Sequence, residues 1–241
     1  MSCKLSVNLN KIALIRNARG RDYPSVEAFA SKALTAGAHG VTIHPRPDQR
    51  HARYSDIAAL RDVTRRYPGT ELNVEGYPDD TFLAQVIAAR PDQCTLVPDA
   101  PGQLTSDHGW DLTRHLDTVR DVVARLSAAG IRTSIFMDPD PAQIALAPAT
   151  GADRIELYTE AYAHAPDALS LAPYAAAARQ AGELGLGVNA GHDLNLDNLG
   201  AFVAAVPQVA EVSIGHALTV EALEFGFDET IRRYVAILSP R

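Results

Sequence analysis

The chain has 241 residues, which suits one (β/α)8 barrel of about 250 residues, and we expect a single domain over 1–241. A hydrophobic share of 46% with 21% charged residues excludes disordered and fibrous classes, and the net charge of -7 argues against a nucleic-acid partner. Cys3 and Cys94 lack the spacing of a zinc or redox motif, and no apolar run suits a signal peptide or membrane span. We therefore expect a cytoplasmic protein without membrane attachment.

Short β-type runs alternate with longer amphipathic segments along the whole chain. The eight predicted strands are 5–9, 40–44, 71–75, 93–97, 132–137, 154–157, 187–189 and 211–214. The eight predicted helices are 25–36, 55–66, 80–89, 116–129, 141–147, 169–184, 196–205 and 220–238. This regular alternation indicates an α/β architecture in one continuous unit.

Three predicted helices end at glycines, Gly37, Gly130 and Gly185, which can form the left-handed C-caps that lead into the next strand. Eight strand–helix units predict a TIM barrel, since the competing doubly wound open sheet usually has fewer strands. The two longest connections, 99–114 and 158–168, follow strand C-termini. We expect extra loop and helix segments on that face, with 99–114 as a lid.

The C-terminal ends of the predicted strands carry polar and ionisable side chains, and such ends meet around one mouth in a barrel. In chain order they are Asn8, Asn10, Lys11, His44, Arg46, Asn73, Glu75, Asp99, Asp138, Glu156, Asn189, His192 and His216. Strand ends selected only for packing would be less polar, so this set predicts an active site.

His44 begins a compact basic cluster that continues with Arg46, Arg50 and His51. Its imidazole can transfer protons near neutral pH, while Arg46 and His51 can hold a phosphate. An isolated histidine would more often cap a strand, but these neighbours favour the catalytic interpretation.

Glu75 and Glu156 interrupt apolar strand segments, where charges rarely occur without partners. At a barrel mouth they would act as general bases or stabilise positive charge. The alternative is a buried ion pair with Arg16, Arg19 or Arg46. Glu71, at the strand entrance, is expected to be in solvent.

The segments 188–192 and 213–217 each bring a histidine to the mouth through a turn of small residues. After the eighth strand, Gly215 and the backbone amide of His216 predict a phosphate site at a helix N-terminus. We expect no metal, because metal-binding spacings are missing and cationic residues lie among the candidate ligands. The other histidines are interpreted as structural or solvated: His39, His108, His115 and His164.

Six motifs occur in the order and spacing of one known family. They are VNLNKI at 7–12, RNARG at 16–20, VTIHPR at 41–46, NVE at 73–75, VNAGH at 188–192 and IGHA at 214–217. Over nearly its whole length the chain resembles the pyridoxine 5'-phosphate synthase family. The resemblance implies a transferase that condenses 1-deoxy-D-xylulose 5-phosphate with 3-amino-2-oxopropyl phosphate to pyridoxine 5'-phosphate, phosphate and water, with no external cofactor.

The resemblance also implies roles for individual residues. His44 and Glu75 would be proton acceptors, His192 the proton donor, and Glu156 the residue that stabilises the transition state. The aminoketone phosphate would be bound by Asn8, Arg19, Gly215 and His216, and the pentulose phosphate by Arg46, His51 and Thr105 with Asn10 and Lys11 beside them. The family has Asp-His where this chain has Asn10-Lys11, and Gly in place of Asp193, which would contribute its backbone. A symmetric homo-oligomer, an octamer, is implied as well.

Three other functions are compatible with such a barrel. A single-substrate aldolase, epimerase or decarboxylase would need one anion pocket, whereas clusters around Arg46 and around Arg19 and Gly215 favour two phosphorylated substrates. A metal-dependent barrel enzyme and a barrel retained for binding alone are the remaining alternatives.

Overall fold

The computed structural model describes residues 3–99, 102–103 and 105–239. Within this part of the chain, eight parallel strands close into one barrel in sequence order, with β8 paired to β1. The strands are β1 Lys4–Asn8, β2 Gly40–Ile43, β3 Glu71–Gly76, β4 Gln93–Leu96, β5 Arg132–Met137, β6 Arg154–Tyr158, β7 Gly187–Gly191 and β8 Val209–Ile214. The predicted TIM barrel is confirmed.

Helices surround the barrel and also extend its C-terminal face. They are α1 Asn10–Asn17, α2 Val26–Thr35, α3 Tyr54–Thr64, α4 Asp80–Ala89, α5 Leu112–Ala128, α6 Pro141–Ile144, α7 Glu160–His164, α8 Ala168–Glu183, α9 Leu199–Ala205, α10 His216–Phe225 and α11 Phe227–Leu238, with a 3₁₀ helix at Ala147–Thr150. The connections after β1, β6 and β8 each contain an additional helix, α1, α7 and α10. These are the extra segments expected on the face where the strands end.

Glycines set several helix ends. Gly37, Gly130 and Gly185 have φ of +107°, +74° and +82°, as the predicted left-handed C-caps require. The prediction of one helix over 220–238 is wrong, because Gly226 at φ +81° separates α10 from α11. No described helix is both long and apolar enough to cross a membrane.

The N-terminal end of the barrel is filled by a polar network. Glu71 is ion-paired with Lys4 at 2.6 Å and also with Arg132, so its expected exposure to solvent is wrong. Gln93 accepts a hydrogen bond from Arg132 and donates one to the buried Glu211. The network forms because the chain turns these polar side chains into the barrel, where each must find a partner.

Asn189 belongs to the same polar network at the N-terminal end of the barrel, although its position in β7 predicted a place at the mouth. Its Oδ1 accepts a hydrogen bond from Arg154 Nη1 at 3.0 Å, and its Nδ2 donates one to Gln93 Oε1 at 3.3 Å. A register irregularity at Val188 and Asn189 lies beside it in the pairing with β8. The strand continues to Gly191, two residues beyond the prediction, so Asn189 is not its end.

Candidate active site

A cavity of about 580 Å³ occupies the C-terminal end of the barrel. All of the residues to which the family resemblance assigns a role, except Arg19, line it. They are Asn8, Asn10, Lys11, His44, Arg46, His51, Glu75, Thr105, Glu156, His192, Asp193, Gly215 and His216. The volume lies within the range of small-molecule sites, so one chamber can receive small substrates and present all these groups to them.

Arg19 lies in the turn that follows α1, where its side chain is exposed. The nearby Arg16 is instead buried and binds Asp56 through two hydrogen bonds of 2.7 and 3.0 Å. Arg16 is thereby committed to holding α1 against α3. The structure does not bring Arg19 to the mouth, and its phosphate contact stays a prediction.

His44 lies just after β2 and is buried between two carboxylates. Its Nδ1 is 3.8 Å from Glu75 Oε2, and its Nε2 is 3.6 Å from Asp99 Oδ2. The backbone N–H of His44 donates to Asn10 Oδ1 at 2.9 Å, which fixes the strand end beside α1. Burial lowers the pKa of His44 well below its usual value, and Arg46 and other cationic neighbours lower it further. The imidazole is therefore neutral and able to accept a proton at neutral pH.

Glu75 is buried near the end of β3. Ser213 Oγ donates to its Oε1 at 3.2 Å, and the amide of Asn8 lies 3.5 Å from its Oε2. Burial raises the pKa of Glu75 to about 8, and the Ser213 hydrogen bond only partly opposes this effect. A carboxyl group with a pKa near the working pH can both release and take up a proton.

Glu156 is buried in β6 with few polar partners. Thr95 Oγ1 donates to its Oε2 at 3.4 Å. Burial raises the pKa of Glu156 well above its usual value, with added repulsion from Glu75 and Glu211. The neighbouring Gly191 permits this placement, because a Cβ there would lie 3.0 Å from Glu156 Oε1 and 2.9 Å from the backbone oxygen of Ser213.

The predicted alternative of buried ion pairs does not describe these glutamates. Among the described residues, neither Glu75 nor Glu156 is ion-paired with an arginine. Arg46 pairs with Asp99 at 2.6 Å instead. Both carboxyl groups therefore remain available to a ligand.

His192 lies in the turn after β7 and contacts the loop after β4. Its Nε2 is 3.2 Å from Thr105 Oγ1, and the Tyr158 ring packs edge-on against the imidazole with centroids 5.0 Å apart. The backbone has the unusual φ of +94° at His192 and +58° at Asp193. Thr159 Oγ1 contacts the backbone oxygens of Gly191 and His192 at 2.7 and 2.6 Å, and these contacts hold the turn.

Groups suited to anions line two sides of the cavity. On one side are Lys11, Arg46 and His51, and burial beside Arg50 lowers the pKa of His51 to about 4. On the other side α10 begins at His216, after Gly215. A Cβ on Gly215 would lie 3.0 Å from the Asn8 Cβ, so the close approach of β1 to this helix start needs a glycine. The helix N-terminus directs backbone N–H groups toward an anion.

Comparison with known proteins agrees with the resemblance seen in the motifs. The family model described as "Pyridoxal phosphate biosynthesis protein PdxJ" matches residues 5–240. The chain belongs to this family. Proteins named pyridoxine 5'-phosphate synthase are 54% identical in Allorhizobium ampelinum, covering 97% of both chains, and 51% identical in Brucella abortus, covering 99% of this chain and 100% of the relative.

More distant structures share the fold of this PdxJ-family chain. A tryptophan synthase from M. tuberculosis superposes with a TM-score of 0.69 at 14% identity, covering 100% of this chain and 94% of that one. A mutant tryptophan synthase α-subunit from Pyrococcus furiosus has a TM-score of 0.64 at 15% identity, covering 98% and 97%. At these identities the likeness shows the barrel alone.

The PdxJ site contains groups that the sequence did not single out. Ser213 contacts Glu75, Ser106 Oγ donates to Asp99 at 3.0 Å, and Phe136 and Val97 form an apolar wall. Ser213 could have been found from the two-residue period of β8, which points Glu211 and Ser213 to the same side. The loop residues Ala100, Pro101 and Leu104 of the predicted lid lie outside the described residues.

One group of candidate metal ligands occurs in the described part of this PdxJ chain. Glu160, His164 and Asp193 present ligand atoms within 4.8 Å of one another, and Glu160 and Asp193 line the cavity. His44, Glu75 and Glu156 are not among them. Within the described residues, this group of candidate ligands is therefore separate from the predicted acid–base residues.

The raised pKa of Glu75 predicts a pH-dependent stability effect. The folded state holds the proton up to about pH 8, whereas the unfolded chain releases it near 4.5, so stability falls as pH rises through this window. We expect Glu75→Gln to raise the free energy of unfolding at pH 8.5 by on the order of a few kcal/mol, with much less effect at pH 5. Thermal unfolding at both values, with the exposed Glu224→Gln as control, tests this; equal shifts at both pH values would contradict it.

Proposed function

We propose that this chain is a pyridoxine 5'-phosphate synthase that uses general acid–base catalysis at the barrel mouth. It condenses 1-deoxy-D-xylulose 5-phosphate with 3-amino-2-oxopropyl phosphate, and releases pyridoxine 5'-phosphate, inorganic phosphate and water. The observation that carries the proposal is the convergence of His44, Glu75, Glu156 and His192 in one cavity with anion-binding groups on two sides. Family membership supplies the substrate pair.

His44 and Glu75 are the proposed proton acceptors. Amine addition to a ketone, eliminations and ring closure each move protons between carbon, nitrogen and oxygen. The lowered pKa of His44 keeps its imidazole neutral, ready to take a proton. Glu75, with a pKa of about 8, takes part once the substrate ammonium group lies beside it and favours the carboxylate.

His192 is the proposed proton donor, and Glu156 stabilises charge that develops in the transition state. His192 lies beside Thr105 of the loop after β4, at the entrance to the chamber. Burial raises the pKa of Glu156 and so favours its protonated form, whose O–H can donate to an oxygen that becomes negative. The roles are distributed between the rim and the axis of one barrel.

Two phosphates are bound on opposite sides in this proposal. Arg46, His51 and Thr105, with Asn10 and Lys11, bind the pentulose phosphate, and a bound dianion would shift His51 toward its charged form. Asn8, Gly215 and the backbone of His216, with Asp193 alongside, bind the aminoketone phosphate at the start of α10. Arg19 is assigned to the same phosphate by family resemblance alone.

Localisation and assembly are part of the proposal. Cys3 and Cys94 are both free and buried, which suits the reducing cytoplasm proposed here. A homo-octamer is proposed from the family resemblance, and light scattering of the purified protein measures it.

The decisive experiment mixes the two substrates with protein treated with a chelator. We expect pyridoxine 5'-phosphate to form at the same rate as with untreated protein. Chromatography of the product and release of inorganic phosphate measure this rate. Failure of the untreated protein to make product would overturn the function. Activity that chelator abolishes and a divalent cation restores would favour the metal-dependent alternative instead.

A further inference from the structure

Asp99, just beyond β4, is a buried carboxylate to which the family resemblance assigns no role. Its Oδ2 lies 2.6 Å from Arg46 Nη1 and 3.6 Å from His44 Nε2, so one oxygen serves both groups. Ser106 Oγ donates to the same Oδ2 at 3.0 Å. The Asp99 carboxylate thus contacts His44, Arg46 and Ser106 of the loop after β4.

The other oxygen, Asp99 Oδ1, is buried and has no hydrogen-bond partner among the described residues. A buried carboxylate oxygen without a donor is costly. The Asp99 carboxylate can therefore still accept a further hydrogen bond from one of its neighbours.

A carboxylate beside Nε2 selects the His44 tautomer that carries its proton there. Nδ1 is then left as the basic nitrogen, and it faces Glu75 at 3.8 Å. Carboxylates that orient imidazoles in this way fix the ring and stabilise its protonated form. At 3.6 Å this contact of Asp99 with Nε2 is longer than a hydrogen bond, and catalytic contacts that are long in an unliganded site commonly shorten once a substrate is bound.

Arg46 and His44 contact the same oxygen of Asp99, and a phosphate bound to Arg46 would leave that oxygen to His44. A guanidinium that binds a phosphate dianion has less need of its carboxylate partner. We propose that Asp99 is a positioning residue for His44, released from Arg46 when the pentulose phosphate engages that arginine. Substrate binding then completes the orientation of the proton acceptor. This inference rests on the proposed function and on Arg46 as a phosphate ligand.

The proposal predicts that Asp99→Asn lowers both kcat and the KM for the pentulose phosphate. His44 loses its orienting charge, so kcat falls about 10- to 100-fold, the usual effect of losing such a partner. Arg46 loses a buried counter-ion, so the KM for the pentulose phosphate falls by about twofold or more. A residue needed only for structure would lower kcat and raise KM together.

Steady-state kinetics on the whole protein, with each substrate varied in turn, separates these outcomes. Asp99→Glu retains a carboxylate and is expected to recover part of kcat. Asp62→Asn removes an exposed charge from α3, outside the cavity, and is expected to keep both constants near wild type. Circular dichroism and thermal midpoints verify that each variant folds.

Two failures can be distinguished. Wild-type protein that makes no pyridoxine 5'-phosphate would refute the proposed function. Active wild-type protein together with an Asp99→Asn variant whose kcat is unchanged, or whose KM rises as kcat falls, would refute the role of Asp99 alone.

Discussion

Glu75→Gln is expected to lower kcat by about 10²- to 10⁴-fold, the contribution typical of a positioned acid–base group. Glutamine keeps the shape and can still accept the hydrogen bond from Ser213, so the site is not expected to collapse. It cannot take up a proton at neutral pH. The loss therefore measures proton transfer by Glu75, followed as pyridoxine 5'-phosphate formed per enzyme per second.

A matched control lies on the same strand. Glu71→Gln removes a carboxylate at the other end of β3, where it pairs with Lys4 and Arg132. We expect lower thermal stability with kcat within a few-fold of wild type. If both variants lose activity equally, the effect of Glu75 comes from charge in the barrel in general, and the proton-acceptor role is wrong.

His192→Asn is expected to lower kcat by about 10²- to 10⁴-fold as well, since it removes the proposed proton donor. Asparagine is the appropriate replacement because it tolerates the positive φ of +94° better than alanine does. The backbone turn can then persist while the titratable ring is lost. Rates at saturating concentrations of both substrates measure the chemical step rather than binding.

His164→Asn gives the comparison for this second variant. His164 lies on α7 with a side chain that is 74% exposed, near the same rim of the cavity. Its loss is expected to leave kcat close to wild type. Should His192→Asn retain more than about a tenth of wild-type kcat, well above the range expected for an acid–base group, another donor must supply the proton.

The barrel could be predicted because each strand is short, buried on both sides and bounded by a recognisable turn. All eight predicted strands overlap the observed ones, and no strand end differs by more than two residues. Hydrophobic burial selects these segments strongly, and the glycines at positive φ mark where the preceding helices end. The closing order of the strands then follows from right-handed crossovers.

Helix boundaries were predicted less well where side-chain caps and short helices decide them. α1 was not predicted, since no side chain caps its start after Leu9 and its amphipathic pattern covers only eight residues. α5 begins at Leu112 rather than 116 because Asp111 caps it by accepting from the Thr113 N–H. The helix predicted over 196–205 begins at Leu199, after a turn in which Asn195 Oδ1 accepts from the Asp197 and Asn198 N–H groups.

The residues of the site were largely predictable because strand C-termini in a barrel converge whatever their separation in sequence. It was harder to predict which end of the barrel a side chain within a strand joins. Asn189 is paired with Glu156 in the register of β6 and β7, yet its side chain joins the network at the N-terminal end of the barrel, beside an irregularity in the pairing of β7 with β8. The position of Arg19 depends on the path of α1 and its following turn, which carries no sequence signal.

The turn that carries His192 and Asp193 places two consecutive L-residues on left-handed backbone, which costs on the order of 1 kcal/mol for each. The rest of the barrel stabilises this arrangement, and the aim of the imidazole depends on it. A glycine in place of His192 would relieve the backbone but remove the proposed proton donor, so thermal stability and turnover favour different residues at this position. Variants made for higher thermal stability should therefore keep His192 and instead strengthen the polar network at the N-terminal end of the barrel.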